Sequence, residues 1–503
     1  MSDIIIGKHT LESLTSGMYS DPYVVFREYI QNSVDSIDEA IKQKVISKGT
    51  DRIEIRISPA ERMIIIEDNG TGLPSVNAEK TLISIGNSKK ISDNSRGFRG
   101  IGRLSALSYC SNLVFETSSW GEKHGTRIEI DALKLADLLS ENSGDDTTVI
   151  DVIQKVYQCN TYSEGGQNHY FRVIMKGVDE ASGLLSISEV EDYLSQNVPV
   201  PYHPEFTWGK EIVKRLRAEK YHEPKYNIYL TFGNNSKPIY KPYRDEFLVD
   251  KSKNIFDRIN DISIIKIQQP DGDISAIGWL AKTNYLGSIY DKLIKGIRIR
   301  KGNILVGDNQ TLNVVFKDAR FNGWSIGELF AIDSKLIPNA RRDNFEKNPA
   351  YFLLYEQLMT IASGITKDIR SASLSRNAEL SQALEKAEKL KALANDALEN
   401  GISSSQKQQL HQQLSKTQGA IIQSQINDDA AFLNQEKAFE ELDMLLGSIQ
   451  GATEFKALNL SDALSKTEKK ILERVFKIIL QSNVENAEEL INDILNDFSK
   501  SNC

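Results

Sequence analysis

Apolar positions along this chain fall into three successive rhythms. From 21 to 44 they recur at helical spacing, after a start in which Asp21 is a natural N-cap and Pro22 takes the first helical position. Residues 52–58 and 63–67 then read as two strands joined by a short turn. A stretch rich in Gly, Ser and Asn runs from Asp68 to Gly102, too long for an ordinary connection, and such loops are binding segments, lids or disordered. A helix at 101–110 and strands at 112–117 and 125–130 close this first unit. A second αβ unit is expected from about 210 to 348, with strands at 225–232, 262–268 and 296–300.

The third rhythm belongs to the tail. Leu380, Ala383, Ala387, Leu390, Ala394 and Ala397 repeat at three-four spacing, a narrow coiled-coil-like seam. A turn at 401–406 and a second helical stretch from about 406 to 446 predict a helical hairpin. Ser465 and Glu468 form a capping box that opens another amphipathic helix, and Asn483 caps a last one. All 12 prolines lie at or before Pro349 and all four tryptophans at or before Trp324, so the firmest boundary falls near residue 350.

Composition narrows the classes. Across 503 residues, 61 Lys+Arg stand against 69 Asp+Glu, a net charge of −8, with 40% hydrophobic and 26% charged residues. These are globular values, and the acidic balance disfavours a protein that coats DNA by bulk charge. Cys110, Cys159 and Cys503 form no CxxC pair, which excludes a cysteine-built zinc site and a disulfide framework and fits a reducing compartment. The six histidines show no HxxxH spacing, so a His-built metal site is not expected. The N-terminus lacks the pattern of a signal peptide, and no run of about 18 apolar residues occurs, so a cytoplasmic protein without membrane spans is expected.

Four segments carry chemistry. Glu28, Asn32 and Asp35 share one face of the first helix. A carboxylate there suits activation of a water, and an amide oxygen one turn on suits Mg²⁺, a hard cation. Next, an apolar strand ends at Asp68 and runs into Gly70-Thr71-Gly72. The carboxylate can accept from an exocyclic amine, and the glycines let backbone approach a flat ligand. Third, Gly97, Gly100, Ile101 and Gly102 precede a helix start, where bare amides face anions. Fourth, Thr126 lies on the strand at 125–130, where its hydroxyl could reach the base site.

In this order the four segments resemble the Bergerat-type nucleotide-binding domain of the GHKL superfamily. That superfamily takes in gyrase-type topoisomerases, ninety-kilodalton heat-shock chaperones including HtpG, histidine kinases, MutL and MORC proteins. The resemblance covers about residues 1–135 and implies ATP and Mg²⁺ as cofactors. By it, Glu28 is similar to the general base, Asn32 to the Mg²⁺ ligand and Asp68 to the carboxylate that reads the adenine amino group. Gly72 and Thr126 would shape the adenine site, Gly100, Ile101 and Gly102 would meet the phosphates, and 85–102, with Asn87, Ser88 and Lys89, resembles the ATP lid. Leu336 to Asp343 resembles the heat-shock chaperone segment whose arginine reaches the γ-phosphate, which selects Arg342, with Arg341 the fallback. The wording Gly97-Phe98-Arg99-Gly100 is closer to MutL, and the tail does not look like that of HtpG.

The expected fold class is therefore α+β: a Bergerat ATP-binding α/β sandwich at 1–135, a connecting segment at 136–209, an αβ transducer-like domain at 210–349 and an all-helical region at 350–503. The expected function is an ATP-operated, homodimeric clamp acting on a protein client, chaperone-like. The alternative is a DNA-engaging clamp similar to MORC or MutL, with Lys210, Lys214, Arg215, Arg217, Arg298 and Arg300 on phosphates. On the strand at 296–300, alternation places Ile inward and Arg outward. A histidine kinase is not expected, with so little chain before Glu28, nor is a type II topoisomerase, since the last tyrosine is Tyr355.

Overall fold

The computed structural model describes residues 21–84, 102–140, 148–400, 402–424, 429–452, 454–455, 465–482, 486–487, 489–491 and 493–494. It divides into two compact units, 1–367 and 368–503. The architecture is α+β, sheet-rich in the first unit and helical in the second.

The first unit opens with helix α1 (Val24–Lys42). The helix starts at Val24 with Tyr23 at its N-cap position and no side-chain cap, so Asp21 is not the N-cap and Pro22 not the first helical residue; the Asp21 carboxylate instead accepts the Tyr23 N–H at 3.0 Å in the turn before the helix. Strands β1 (Ile53–Ser58) and β2 (Met63–Asp68), helix α2 (Ser75–Ile83) and a 3₁₀ turn (Gly102–Ser108) follow. Next come β3 (Asn112–Ser118), β4 (His124–Asp131), helices α3 (Ala132–Ser140) and α4 (Val149–Val156), β5 (Tyr157–Ser163), β6 (Tyr170–Lys176) and helix α5 (Ile187–Asn197). Helix α6 (Trp208–Ala218) precedes β7 (Ile228–Phe232) and β8 (Asn235–Pro238).

These eight strands form one sheet in the order β5-β4-β3-β6-β2-β1-β7-β8, antiparallel except for the parallel β1–β7 pair. Residues 136–209 thus supply β5 and β6 to the same sheet as β1 and β2. Period-two alternation sorts the faces. Ile53, Ile55, Ile57, Ile64, Ile66, Val173, Met175, Leu113, Phe115 and Ile128 are buried under the helices. On the open face, Arg172 bridges Glu67 and Glu116, each at 2.7 Å, and Arg127 meets Glu116 at 2.6 Å, a ladder of alternating charge across the strands.

A second sheet in the first unit, ordered β13-β12-β14-β11-β10-β9, comprises β9 (Glu246–Asp250), β10 (Ile255–Gln268), β11 (Ile274–Thr283), β12 (Gly296–Lys301), β13 (Ile304–Val306) and β14 (Ile326–Ala331). Here the outward reading of Arg298 and Arg300 is overturned. Both are buried, at 1% and 0% exposure. The Arg300 Nε donates to Glu328 at 2.5 Å, and Lys241 reaches the same carboxylate at 2.7 Å while also pairing with Glu223. Arg298 donates to Gln196 of α5 and to the Lys292 carbonyl. Burial pushes the Glu328 carboxyl up, but Arg300 and Lys241 overcome it and hold the group down at about 2.

Helix α7 (Pro349–Asn400) carries the chain into the second unit, which adds α8 (Ser404–Gln423), α9 (Asp429–Gly451) and α10 (Lys466–Gln481). Ala387, Leu390 and Ala394 of the predicted seam are buried with Leu414, Ile421, Leu442 and Ile449. The single helix expected over 406–446 is instead two, α8 and α9. The capping box holds, with Ser465 accepting from the Glu468 N–H at 3.3 Å and Glu468 from the Ser465 N–H at 2.8 Å. Asn483 lies outside the described residues.

Candidate functional site

Helix α1 builds the site because one of its faces is polar while the others are core. Val25, Phe26, Ile30, Val34 and Ile37 are fully buried. The 28/32/35 face carries a buried Glu28 and half-buried Asn32 and Asp35. At its N-terminal end the Glu28 carboxylate is held close on two sides. Arg27 Nη2 lies 3.5 Å from Glu28 Oε1, and the same nitrogen donates to the Arg341 carbonyl at 3.2 Å. On the other side stands Gly102, where a Cβ would come within 2.1 Å of Glu28 Oε2. Glycine is needed at 102 for this close approach.

The loop behind Arg341 is a tight hairpin. Pro338 bridges Phe345, and the Asn339 N–H donates to the Asn344 carbonyl. Arg342 adopts a left-handed backbone, φ 58°, and its carbonyl accepts the Gly307 N–H at 2.7 Å. Arg342 is buried at 9% exposure and Arg341 is exposed. Through the Arg341 carbonyl, the structure brings this distant segment to the Glu28 end of α1.

Two turns further along α1, Ser36 meets the loop after β2. Its carbonyl accepts the Thr71 N–H at 3.4 Å, and its hydroxyl sits 3.3 Å from that of Thr71. Asp68 ends β2 with 2% exposure, and its Oδ1 accepts the Gly70 N–H at 2.9 Å. Gly72 has φ 64°, and a Cβ there would strike the Ser118 carbonyl oxygen at 1.9 Å. Only glycine fits that conformation and that space. The Leu73 N–H donates to Thr117 Oγ1 at 2.7 Å, pinning the loop to β3.

Glu28 and Ser36 are eight residues apart, about 12 Å along a helix axis. The site is thus elongated, with a carboxylate and an arginine-bearing loop at one end. At the other end lie a buried carboxylate and a glycine loop.

Thr126 is not brought beside Asp68. The register runs Asp68–Phe171–Thr117–Thr126 across four strands, because β6 and β3 lie between β2 and β4. Three strand spacings separate the two residues, about 14 Å. The residue that neighbours Asp68 on the adjoining strand is Phe171, and the hydroxyl that meets the glycine loop is that of Thr117. Phe171, Thr117 and Arg27 are absent from the sequence-derived set. For Arg27 a signal existed in its adjacency to Glu28; for the others only strand order reveals them. Asn87, Ser88, Lys89, Gly97, Gly100 and Ile101 lie outside the described residues.

On the far side of Gly102 the chain is stapled. The Arg103 guanidinium donates to the Thr81 carbonyl and, at 2.9 Å, to that of Ser84 at the end of α2. The Arg103 carbonyl accepts the Tyr29 hydroxyl at 2.8 Å. Burial pushes the Cys110 thiol up to about 12, which makes it a packed residue and no nucleophile.

Among the described residues no group of three His, Cys, Asp or Glu could hold a metal, and no helix is long and apolar enough to cross a membrane. Residues 19–163 match the family described as histidine kinase-, DNA gyrase B-, and HSP90-like ATPase. A DNA mismatch repair protein MutL from Aquifex aeolicus (strain VF5) is 30% identical over 112 residues, covering 21% of this chain and 26% of that relative. The match therefore spans about a quarter of the relative's length.

Proposed function

Since residues 19–163 match a GHKL-type ATPase family, we propose that the chain is an ATP-dependent conformational clamp, hydrolysing ATP to ADP and phosphate at the site along α1. The observation that supports this best is the elongated polar face of that helix. Asp68 and the Gly70–Gly72 loop receive the adenine at one end, with the carboxylate accepting from its amino group. At the other end Glu28 orients and deprotonates the attacking water. Asn32, with its amide oxygen on the same face, is the protein ligand of Mg²⁺, and Asp35 lies one turn on to order its waters. Bound there, the ion neutralises phosphate charge. Arg342 meets the terminal phosphate, positioned by the 338–345 hairpin, and Arg341 is the alternative.

The output is a change of domain arrangement, in a homodimer joined through helices of the second unit, acting on a protein client. Nucleotide shifts such an equilibrium only as far as it binds one arrangement better. The residues at 210–349 act as the transducer.

The MutL similarity favours a second reading, a clamp that engages DNA. The burial of Arg298 and Arg300 removes two of its proposed phosphate contacts, and Arg215 is engaged with Glu211 and Asp261. Lys210, Lys214 and Arg217 remain exposed on α6.

Steady-state hydrolysis of Mg-ATP by wild type and Glu28→Ala, with and without duplex DNA, separates the readings. Slow turnover that Glu28→Ala abolishes and DNA leaves unchanged supports the protein-client clamp. Stimulation by DNA that weakens with salt moves the assignment to the second reading. Binding of ATP without any turnover removes Glu28 as a working base.

A further inference from the structure

The loop after β2 is held from three directions. Asn69 ties it to the segment leading into β1, accepting the Arg52 N–H at 2.8 Å and donating to the Thr50 carbonyl at 2.9 Å. Thr71 and Leu73 are tied to α1 and β3 as described above. The third tie comes from outside the motif. His169, just before β6, contacts the Gly70 carbonyl through Nδ1 at 2.8 Å. A carbonyl oxygen can only accept, so Nδ1 carries the proton in this bond. Trp120, on the β3–β4 turn, lies against the imidazole with ring centroids 5.6 Å apart and planes at 57°, which fixes the direction in which Nδ1 points.

Gly70 is therefore gripped on both sides of one residue. Its N–H is held by Asp68 and its carbonyl by His169. In the first of these bonds the Asp68 carboxylate accepts the Gly70 N–H, so the orientation of Gly70 and that of the Asp68 side chain are coupled. We infer that His169 is a positioning residue for the nucleobase end of the site: by holding the Gly70 carbonyl it orients Asp68 toward an exocyclic amine. This deepens the ATP-site reading and rests on it. His169 itself touches no reacting atom, and the phosphate end, with Glu28, Asn32 and the Arg341–Arg342 hairpin, is some 12 Å away along the helix. The expected signature is a loss in nucleotide affinity with little loss in turnover.

The test compares wild type, His169→Ala, His169→Asn and Asp68→Asn in the full chain, measuring KM and kcat for ATP together with the dissociation constant for ATP. Asparagine places an N–H near the position of Nδ1. His169→Ala is expected to raise KM and the dissociation constant about tenfold, the loss of one ordinary hydrogen bond, with kcat within about twofold. His169→Asn is expected to restore most of the affinity. An unchanged KM in His169→Ala, a fall in kcat alone, or an asparagine variant as defective as the alanine variant overturns the assignment. If wild type fails to bind ATP, or Asp68→Asn binds it as wild type does, the fault lies with the ATP-site reading itself.

Discussion

At the scale of single residues, the two glycines of the site make opposite demands on a substitution. At Gly102 a methyl group would meet the end of the Glu28 side chain, which can swing away. Gly102→Ala is expected to leave the melting temperature nearly unchanged while lowering kcat by about 10²-fold, because the displaced carboxylate no longer addresses the water. At Gly72 the obstacle is backbone, the Ser118 carbonyl, and φ is positive. Gly72→Ala is therefore expected to cost stability, by about 1–3 kcal/mol, along with nucleotide binding. Thermal unfolding and steady-state kinetics on both variants check the contrast; equal destabilisation in the two would refute it. Both positions could be read from the sequence as ligand-contacting glycines. What Gly102 touches could not, since Glu28 is 74 residues earlier in the chain and only the packing of the 3₁₀ turn on α1 joins them.

At the scale of elements, legibility followed locality. The α1 face, the β2–glycine junction and the capping box at Ser465 depend on neighbours within a few residues, and each formed near its expected place. Strand order does not. Thr126 looks well placed on its own strand, yet β6 inserts between β2 and β3 and puts Phe171 beside Asp68. Arg298 and Arg300 show why alternation alone misleads. The polar side of β12 is outward only if nothing covers it, and the acid that satisfies it, Glu328, comes from the parallel neighbour β14. That cluster carries its own expectation. Glu328 is held at about 2, below the ordinary 4.5, so its contribution to stability is present above about 4.5 and fades as pH falls toward 2. Glu223, in the same cluster, is pushed the other way by burial. Glu328→Gln strips the charge from between two buried cations and is expected to cost about 3–5 kcal/mol at pH 7. It should also flatten the acid dependence of unfolding over that window. A variant with wild-type stability at neutral pH would show the cluster to be energetically idle.

At the scale of the whole molecule, the proposed homodimeric clamp would tie chemistry to association. Specific ATPase activity is then expected to rise with protein concentration and level off once the dimer is saturated. Sedimentation at the same concentrations should place the half-rise where monomer and dimer are equally populated. Activity per chain that stays constant through that transition would assign the catalytic unit to a single chain. The helical second unit was legible as helices from its composition and its seam. Its partner was not, because an apolar seam is satisfied equally by its own chain, by a second copy or by a client.

The Arg103 staple has a consequence in the language of polymers. By reaching back to the carbonyls of Thr81 and Ser84, it ties the start of the 3₁₀ turn to the end of α2, two anchors far apart in sequence and adjacent in space. The entropy of joining two such anchors grows only with the logarithm of the chain length between them, about 0.6 kcal/mol for each doubling. Contour length between the two anchors is therefore a nearly free variable for folding. A change in the number of residues between the two anchors is then expected to leave the scaffold on either side nearly undisturbed.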